Sequence, residues 1–317
     1  MGALIGALIV IVFAAFIAYF SKRRIEDTVF ISFALISFTL YIFGMLGTLM
    51  AGVFMTGVAA LVCLIVMAVH FSIDKNKVQL KVKTLSEYVF TPGLAVFVFI
   101  ALFFVVLNYG REYYLNDEFS HWGLSIKNMF ALDNLHCVPE SSDTFKDYPP
   151  FASLICYFWS AVTGSFNESY TFTGMGLLMF SCLLPFFKRF SFKEKKTLIL
   201  LPAALTLCFL FTISFKLSAF TILAVDTLIA LISVYVFLLY FDMRHAGNKK
   251  DMISGIVFIA VALAALALTK SIAICFCVFA VILIAVDTLF FEKKRSVWMK
   301  LSIVFVPTVS FVLANVS

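Results

Sequence analysis

Long apolar stretches, separated by short polar and charged segments, recur along this chain from one end to the other. Many are about 20 residues long, the length that an α-helix needs to cross the ~30 Å hydrocarbon core of a bilayer. Helices are expected because a spanning segment must satisfy its own backbone hydrogen bonds. The pattern predicts an all-α, polytopic membrane protein with about ten transmembrane helices, at residues 3–20, 28–47, 52–71, 89–108, 171–188, 197–214, 219–241, 252–269, 271–291 and 297–315.

One further apolar segment, residues 151–163, is only about thirteen residues long, which is too short to cross a bilayer. If it does not cross, 19 of the 24 Lys and Arg residues lie on one side of the membrane, in the loops 21–27, 72–88, 188–196, 242–251 and 292–300. Cytoplasmic loops carry such an excess of basic residues. We therefore expect these loops to be cytoplasmic, the short segment to be re-entrant or interfacial, and the polar loop 109–150 to be exterior.

Within loop 109–150, a helical pattern begins at Asn116. Apolar residues recur there at three- and four-residue steps, at Phe119, Trp122, Ile126 and Phe130. Polar residues fall on the opposite side, at Asp117, His121, Ser125 and Asn128. This periodicity is typical of an amphipathic helix on a membrane surface, with its apolar stripe in the lipid boundary and its polar stripe in water.

Composition supports the membrane class and argues against others. Apolar residues make up 63% of the chain and charged residues 13%, against roughly 45–50% and 25% in a soluble domain. The net charge of +6 comes from basic residues between the hydrophobic segments, where they set orientation, so we expect no nucleic-acid partner. Six of the seven cysteines lie inside apolar segments, and no disulfide framework is predicted.

The start of the amphipathic helix places two carboxylates and an imidazole at the edge of the bilayer. A carboxylate of Asp117 or Glu118 can act as a general base or bind a divalent metal, with His121 one turn further along the same face. The alternative is that Asp117, or Asn116 before it, caps the helix by accepting backbone N–H bonds. Spacing alone leaves both interpretations open.

Three further features are candidates because of where the apolar segments place them. Asp226 is expected about two turns inside the seventh helix. Inserting a carboxylate there costs about 2.5–3.5 kcal/mol of free energy, so Asp226 is either functional or hydrogen-bonded to a neighbouring helix.

Lys270 lies in a tight turn on the predicted exterior side, near Lys216 in the topology. There it either binds a phosphate or extends to lipid headgroups. The Tyr148-Pro149-Pro150 sequence forms a stiff entry to the short segment, or only a rigid turn.

Five short motifs follow one another in the chain: Asp117-Glu118, Lys146-Asp147-Tyr148-Pro149-Pro150, Gly164-Ser165-Phe166-Asn167-Glu168, Asp226-Thr227-Leu228 and Thr269-Lys270-Ser271. In this order they resemble the motifs of the GT-C superfamily of integral-membrane glycosyltransferases, in particular the protein mannosyltransferase and aminoarabinose transferase branch. Two departures from that pattern are present. The arginine usually found after Asn-Glu is absent, and Ser271 replaces a glycine.

The resemblance implies transfer of a sugar from a polyprenyl-phosphate donor to a glycan, lipid or protein acceptor on the exterior face, in cell-envelope glycan or glycoprotein assembly. Asp117, with Glu118, would activate the acceptor. Lys270 would hold the lipid phosphate, with further substrate-binding residues at Tyr148, Lys216 and His121. Asp117 and Asp226 would hold a divalent metal, Mg²⁺ or Mn²⁺, where the reaction uses one.

The resemblance also divides the chain. Residues 1–88 would form three N-terminal transmembrane helices and a basic cytoplasmic loop, and residues 89–317 the GT-C-like module. We expect this module to be incomplete, because the chain stops as the tenth predicted helix ends. The expected location is the bacterial plasma membrane, with the active face exterior. The alternatives that stay open are a transporter, flippase or polymerase-type protein for lipid-linked sugars, and a non-catalytic relative.

Overall fold

The structure, a computed structural model, describes residues 2–73, 78–197, 199–203, 205, 220, 222–223, 225–245 and 249–290. Helices and turns account for the ordered elements of these residues, and no β-strand occurs among them. The chain forms two compact units. Unit 1 comprises residues 1–147 and 152–224, and unit 2 comprises residues 148–151 and 225–317. The predicted division at residue 88 concerns the extent of the GT-C-like module and stays a prediction.

Eight α-helices of unit 1 are described: α1 Gly2–Ser21, α2 Ile25–Met45, α3 Leu49–Ile73, α4 Val78–Tyr88, α5 Pro92–Leu107, α6 Gly123–Leu132, α7 Phe151–Ala161 and α8 Glu168–Ser181. The first residue of α7 belongs to unit 2 by position. A π-helical turn, Glu118–Trp122, precedes α6, and a 3₁₀-helix, Leu184–Arg189, follows α8. The helices described in unit 2 are α9 Asp226–Arg244, α10 Lys249–Ala267 and α11 Ala273–Phe290.

Five of the described helices, α1, α2, α3, α9 and α10, are long and apolar enough to cross a membrane. The pair α4 and α5, which is bent by 57°, adds a sixth if it is one broken span. The predicted helical class is therefore confirmed. The predicted spans at 197–214 and 297–315 fall largely and wholly outside the described residues, so the total of ten spans stays a prediction.

The short apolar segment forms α7, which has eleven residues and is too short to cross a bilayer, as predicted. All of its side chains are buried. The indole N–H of Trp159 donates to the Ala3 carbonyl at 3.0 Å, and its ring stacks on Phe33 with centroids 5.4 Å apart. A Cβ atom at Gly6 would lie 2.8 Å from this indole, so the contact needs glycine. The side chains of α7 therefore pack against protein, and its placement as a re-entrant or interfacial segment stays a prediction.

Basic loops meet at one end of unit 1. The Arg24 guanidinium donates to the carbonyl oxygens of Lys188 and Phe190, and the Lys188 ammonium lies 2.9 Å from the Asp27 carboxylate. Lys83 lines the same groove as Arg24. The loops 21–27, 72–88 and 188–196 therefore lie together, as the charge pattern predicted for loops on one side of a membrane. Which side this end faces stays a prediction.

The predicted amphipathic helix is present as the π-helical turn and α6, but two of the four residues on its polar side are buried. His121 and Ser125 are buried, whereas Phe119 of the predicted apolar stripe is 56% exposed. The reason is the segment that follows α6: it folds over the polar side, and its Asp143 carboxylate accepts a hydrogen bond from the Ser125 hydroxyl. The expectation of a water-facing polar stripe is therefore wrong for His121 and Ser125, whereas Asp117 is exposed as expected.

Candidate functional site

The two adjacent carboxylates of unit 1 have opposite environments. Glu118 is only 1% exposed, and its Oε2 accepts backbone N–H bonds from Tyr114 at 2.8 Å and Leu115 at 3.0 Å. Asp117 is exposed, and its side chain makes no capping hydrogen bond to the turn that it precedes. The expectation that Asp117 caps the helix is therefore wrong, and Glu118 satisfies the backbone instead. Asp117 is left accessible for chemistry.

His121 is packed between two aromatic rings. Its imidazole stacks on Trp122, with centroids 4.0 Å apart, and on Phe145, with centroids 4.3 Å apart. The residue is 9% exposed. This packing orders the loop above α6, and it leaves little of the imidazole open to a substrate. The prediction that His121 binds substrate thus gains no support from its position.

A polar cleft of about 470 Å³ opens beside the π-helical turn. It is lined by residues of the chain segments that flank α5 and α8, among them Arg111, Phe119, Asn167 and Glu168. The Asn167 side chain caps α8 by accepting from the Ser169 N–H at 2.9 Å. The cleft therefore offers hydrogen-bond donors, acceptors and aromatic surface, a combination that suits a polar organic molecule.

Two cations beside this cleft were missed by the sequence reasoning. The Lys127 ammonium pairs with Glu168 at 2.7 Å and lies 4.9 Å from the centre of the Tyr113 ring. The Arg111 guanidinium lies 4.2 Å over the Phe172 ring. Cations interspersed with aromatic residues in the polar loop are the signal that could have indicated them.

Burial perturbs the titration of groups in this region. It lowers the pKa of the Arg111 guanidinium, an effect that the negative charge of Glu118 opposes. It also raises the pKa of the Tyr113 phenol, which hydrogen-bonds Thr171 at 3.2 Å. Tyr113 therefore stays neutral at physiological pH. Gly123 allows this ring to pack against the turn, since a Cβ atom there would lie 2.4 Å from it.

In unit 2, the structure brings together three residues that are far apart in the chain. The Lys270 ammonium lies 2.8 Å from Oδ1 of Asp226, and 6.0 Å from the centre of the Tyr148 ring. The Tyr148 segment is held there by the N–H of Phe151, which donates to the Leu268 carbonyl at 3.0 Å. An acid, a lysine and an aromatic ring thus form one cluster, which we call the Lys270 cluster.

Asp226 is the first residue of α9, where its negative charge suits the positive end of the helix dipole. Its side chain is 71% exposed. The expected position two turns inside the seventh helix is therefore wrong, because the helix begins at Asp226 and not at residue 219. The argument from a carboxylate two turns inside a helix therefore falls, and the function of Asp226 must be judged from its partner, Lys270.

The described side chains do not support the predicted metal site. Among the described residues, no group of three or more His, Cys, Asp or Glu side chains could hold a metal ion. One oxygen of Asp226 is already paired with an ammonium group. We therefore derive no step through a metal ion.

The other predicted site residues are placed as follows. Asp117, Glu118 and His121 belong to unit 1, and Tyr148, Asp226 and Lys270 belong to unit 2. The single cavity predicted for both sets stays a prediction. Lys216 lies outside the described residues. No protein-family model, curated protein or solved structure matches the chain. The resemblance to GT-C glycosyltransferases likewise stays a prediction.

Proposed function

We propose that this protein is a membrane glycosyltransferase that moves a sugar from a polyprenyl-phosphate donor to an acceptor. The observation that carries the proposal is the Lys270 cluster. Its members lie in three of the motifs that resemble the GT-C pattern, and Lys270, Asp226 and Tyr148 come together in unit 2 although 44 residues separate Asp226 from Lys270. The positive-inside pattern favours an exterior reaction face in a bacterial plasma membrane, with about ten spans in the chain.

Lys270 is suited to bind the donor's phosphate. An ammonium group has three N–H donors, and the bond to Asp226 occupies one of them. Two donors can then reach phosphate oxygens. The Lys270 side chain is 23% exposed, so its ammonium group is partly desolvated. Because negative charge builds up on the phosphate as it leaves, a cation fixed beside it stabilises the transition state more than the ground state.

Asp117 takes the role of general base in this proposal. Its exposed carboxylate accepts the proton of the acceptor hydroxyl while the hydroxyl oxygen attacks the anomeric carbon of the sugar. The bond between that carbon and the phosphate oxygen breaks, and the lipid phosphate leaves with the electron pair. Glu118 is given a different role from the one expected: it holds the turn that presents Asp117, because its carboxylate is buried against backbone amides.

The test is transfer of radiolabelled sugar in membranes that contain the full chain. Polyprenyl-phosphate mannose, glucose and aminoarabinose serve as donors, and the products are separated from unreacted lipid. We expect one donor to be consumed by the wild type, and Asp117→Asn to lower the rate by about 10²–10⁴-fold, the usual contribution of a general base.

Glu140→Gln is the matched control, since Glu140 is an exposed carboxylate in the same loop. It should transfer at the wild-type rate. Equal rates for wild type and Asp117→Asn would overturn the assignment of the base. Movement of the lipid-linked sugar across the membrane without transfer would favour a flippase instead.

A further inference from the structure

A second feature of unit 1 lies at its basic end, where α4 meets α5 at the 57° bend. A groove of about 790 Å³ opens there between α4 and the chain that follows the 3₁₀-helix. Arg24, Lys83 and Lys193 line it, together with one carboxylate, that of Glu87. Lys83 and Lys193 are exposed. The groove therefore has an excess of positive charge and suits an anionic group.

This groove continues into an apolar cavity of about 480 Å³ along α5. Phe90, Thr91 and Phe192 line both cavities. Beyond them, the apolar part is formed by Leu94, Ala95, Val98, Phe99 and Leu102. Most of these side chains are exposed. The two cavities thus adjoin at these three residues, with a basic end on one side and an apolar arm on the other.

The dimensions of the arm fit one leaflet of a bilayer. From Pro92, the first residue of α5, to Leu102 a helical rise of 1.5 Å per residue gives about 15 Å, the ~15 Å that half of a hydrocarbon core occupies. An acyl chain that starts at the membrane boundary would therefore end near the midplane. Charge at one end and apolar surface along one leaflet are the two properties of a charged phospholipid.

Arg24 is held rigidly at the corner. Its guanidinium pairs with Glu26 at 2.8 Å and donates to the Phe190 carbonyl at 3.2 Å. Gly93 lets α5 approach this network, because a Cβ atom there would lie 2.2 Å from the Glu26 side chain. Lys83 and Lys193 reach the groove from two different segments, so a bound headgroup would link α4 to the chain after the 3₁₀-helix.

We propose that this groove binds one anionic phospholipid, with its phosphate headgroup between Lys83 and Lys193 and an acyl chain in the apolar arm. The site is independent of the proposed sugar transfer. A bound lipid would stabilise the bend between α4 and α5 by bridging its two sides.

Native mass spectrometry of the full chain in detergent tests this, with dioleoyl phosphatidylglycerol and dioleoyl phosphatidylcholine as probes. The two lipids share acyl chains and differ in headgroup charge. We expect the wild type to bind phosphatidylglycerol about 25-fold more tightly. Lys83→Gln combined with Lys193→Gln should remove this preference, since each basic residue contributes about fivefold near an anionic group.

Lys195→Gln combined with Lys196→Gln is the matched control, because these exposed lysines follow Lys193 closely in the chain but do not line the groove. It should keep the preference. Equal loss in both double variants would mean a general charge effect and would overturn the proposal.

The apolar arm has its own test. Ala95→Trp fills the arm and should weaken both lipids at least tenfold, whereas Val106→Trp, on the exposed end of α5 outside the arm, should not. Unchanged binding by Ala95→Trp would show that no acyl chain occupies the arm and would contradict the proposal. Thermal unfolding of each variant separates lost binding from lost fold.

Discussion

The two ends of α9 carry ion pairs of the same chemistry with different surroundings. At its first residue, Asp226 pairs with Lys270 at 2.8 Å, and the carboxylate side chain is 71% exposed. At its last residue, Arg244 pairs with Asp287 at 3.0 Å, and that carboxylate is 21% exposed. The two ends are separated by 18 helical steps, or about 27 Å, close to the thickness of a hydrocarbon core.

The two ion pairs differ in how many partners the carboxylate oxygens already have. Asp287 uses one oxygen for Arg244 and accepts on the other from the Tyr240 hydroxyl at 2.6 Å. That pair is a closed structural contact between α9 and α11. The Lys270 pair is open: its carboxylate side chain is 71% exposed, and the ring centre of Tyr148 lies 6.0 Å from the ammonium nitrogen. An open ion pair at a helix end can accept a ligand, whereas a closed one mainly holds two helices together.

The largest expected effect separates these two roles. Lys270→Gln should lower kcat for sugar transfer by about 10²–10³-fold, the usual effect of removing one donor that stabilises a developing anion. Arg244→Gln should leave transfer within about twofold of the wild type but lower the melting temperature, because it breaks the closed pair. Transfer rates and thermal unfolding of both variants check this. Similar losses of transfer in both would remove the distinction.

A smaller effect is expected at Asp226, because we infer that it acts by orienting Lys270. Asp226→Asn should lower kcat/KM by about fivefold, the upper range for an exposed ion pair. In the Lys270→Gln background the same change should have no further effect, since the partner is already gone. A double-mutant cycle measures this. A further large loss in that background would indicate that Asp226 contacts the substrate or a metal by itself.

The smallest effect concerns the aromatic ring. Tyr148→Leu should raise KM for the lipid donor about two- to fivefold, because a ring beside an ammonium group contributes about 0.5–1 kcal/mol. Tyr148→Phe keeps the ring and should keep the KM. If Tyr148→Phe is as impaired as Tyr148→Leu, the phenol hydroxyl is the important group and not the ring.

The helices were predictable because each depends on local composition. Apolar runs such as 3–20 and 52–71 define α1 and α3 to within a few residues, and the shortness of residues 151–163 indicated that α7 does not cross. Three of the basic segments also lie near one another, although residues 78–88 form helix α4 and not a loop. These features depend on how a backbone and its charges interact with a bilayer, and the bilayer imposes the same rules on every segment.

The candidate site was less predictable because it depends on contacts between distant segments. Asp117 and Glu118 are adjacent, and spacing could not show that Glu118 is the one turned inward. The burial of His121 depends on where Phe145 folds. The start of α9 at Asp226, and its pairing with Lys270, likewise need the packing of α9 beside the α10–α11 turn.

The most direct measurement is the binding of a polyprenyl phosphate that carries no sugar. A fluorescent polyprenyl phosphate is titrated into detergent-solubilised wild type, Lys270→Gln and Arg244→Gln. We expect wild type and Arg244→Gln to bind it with equal affinity, and Lys270→Gln to bind at least tenfold more weakly. Equal affinity of all three proteins would contradict the assignment of Lys270 as the residue that holds the lipid phosphate.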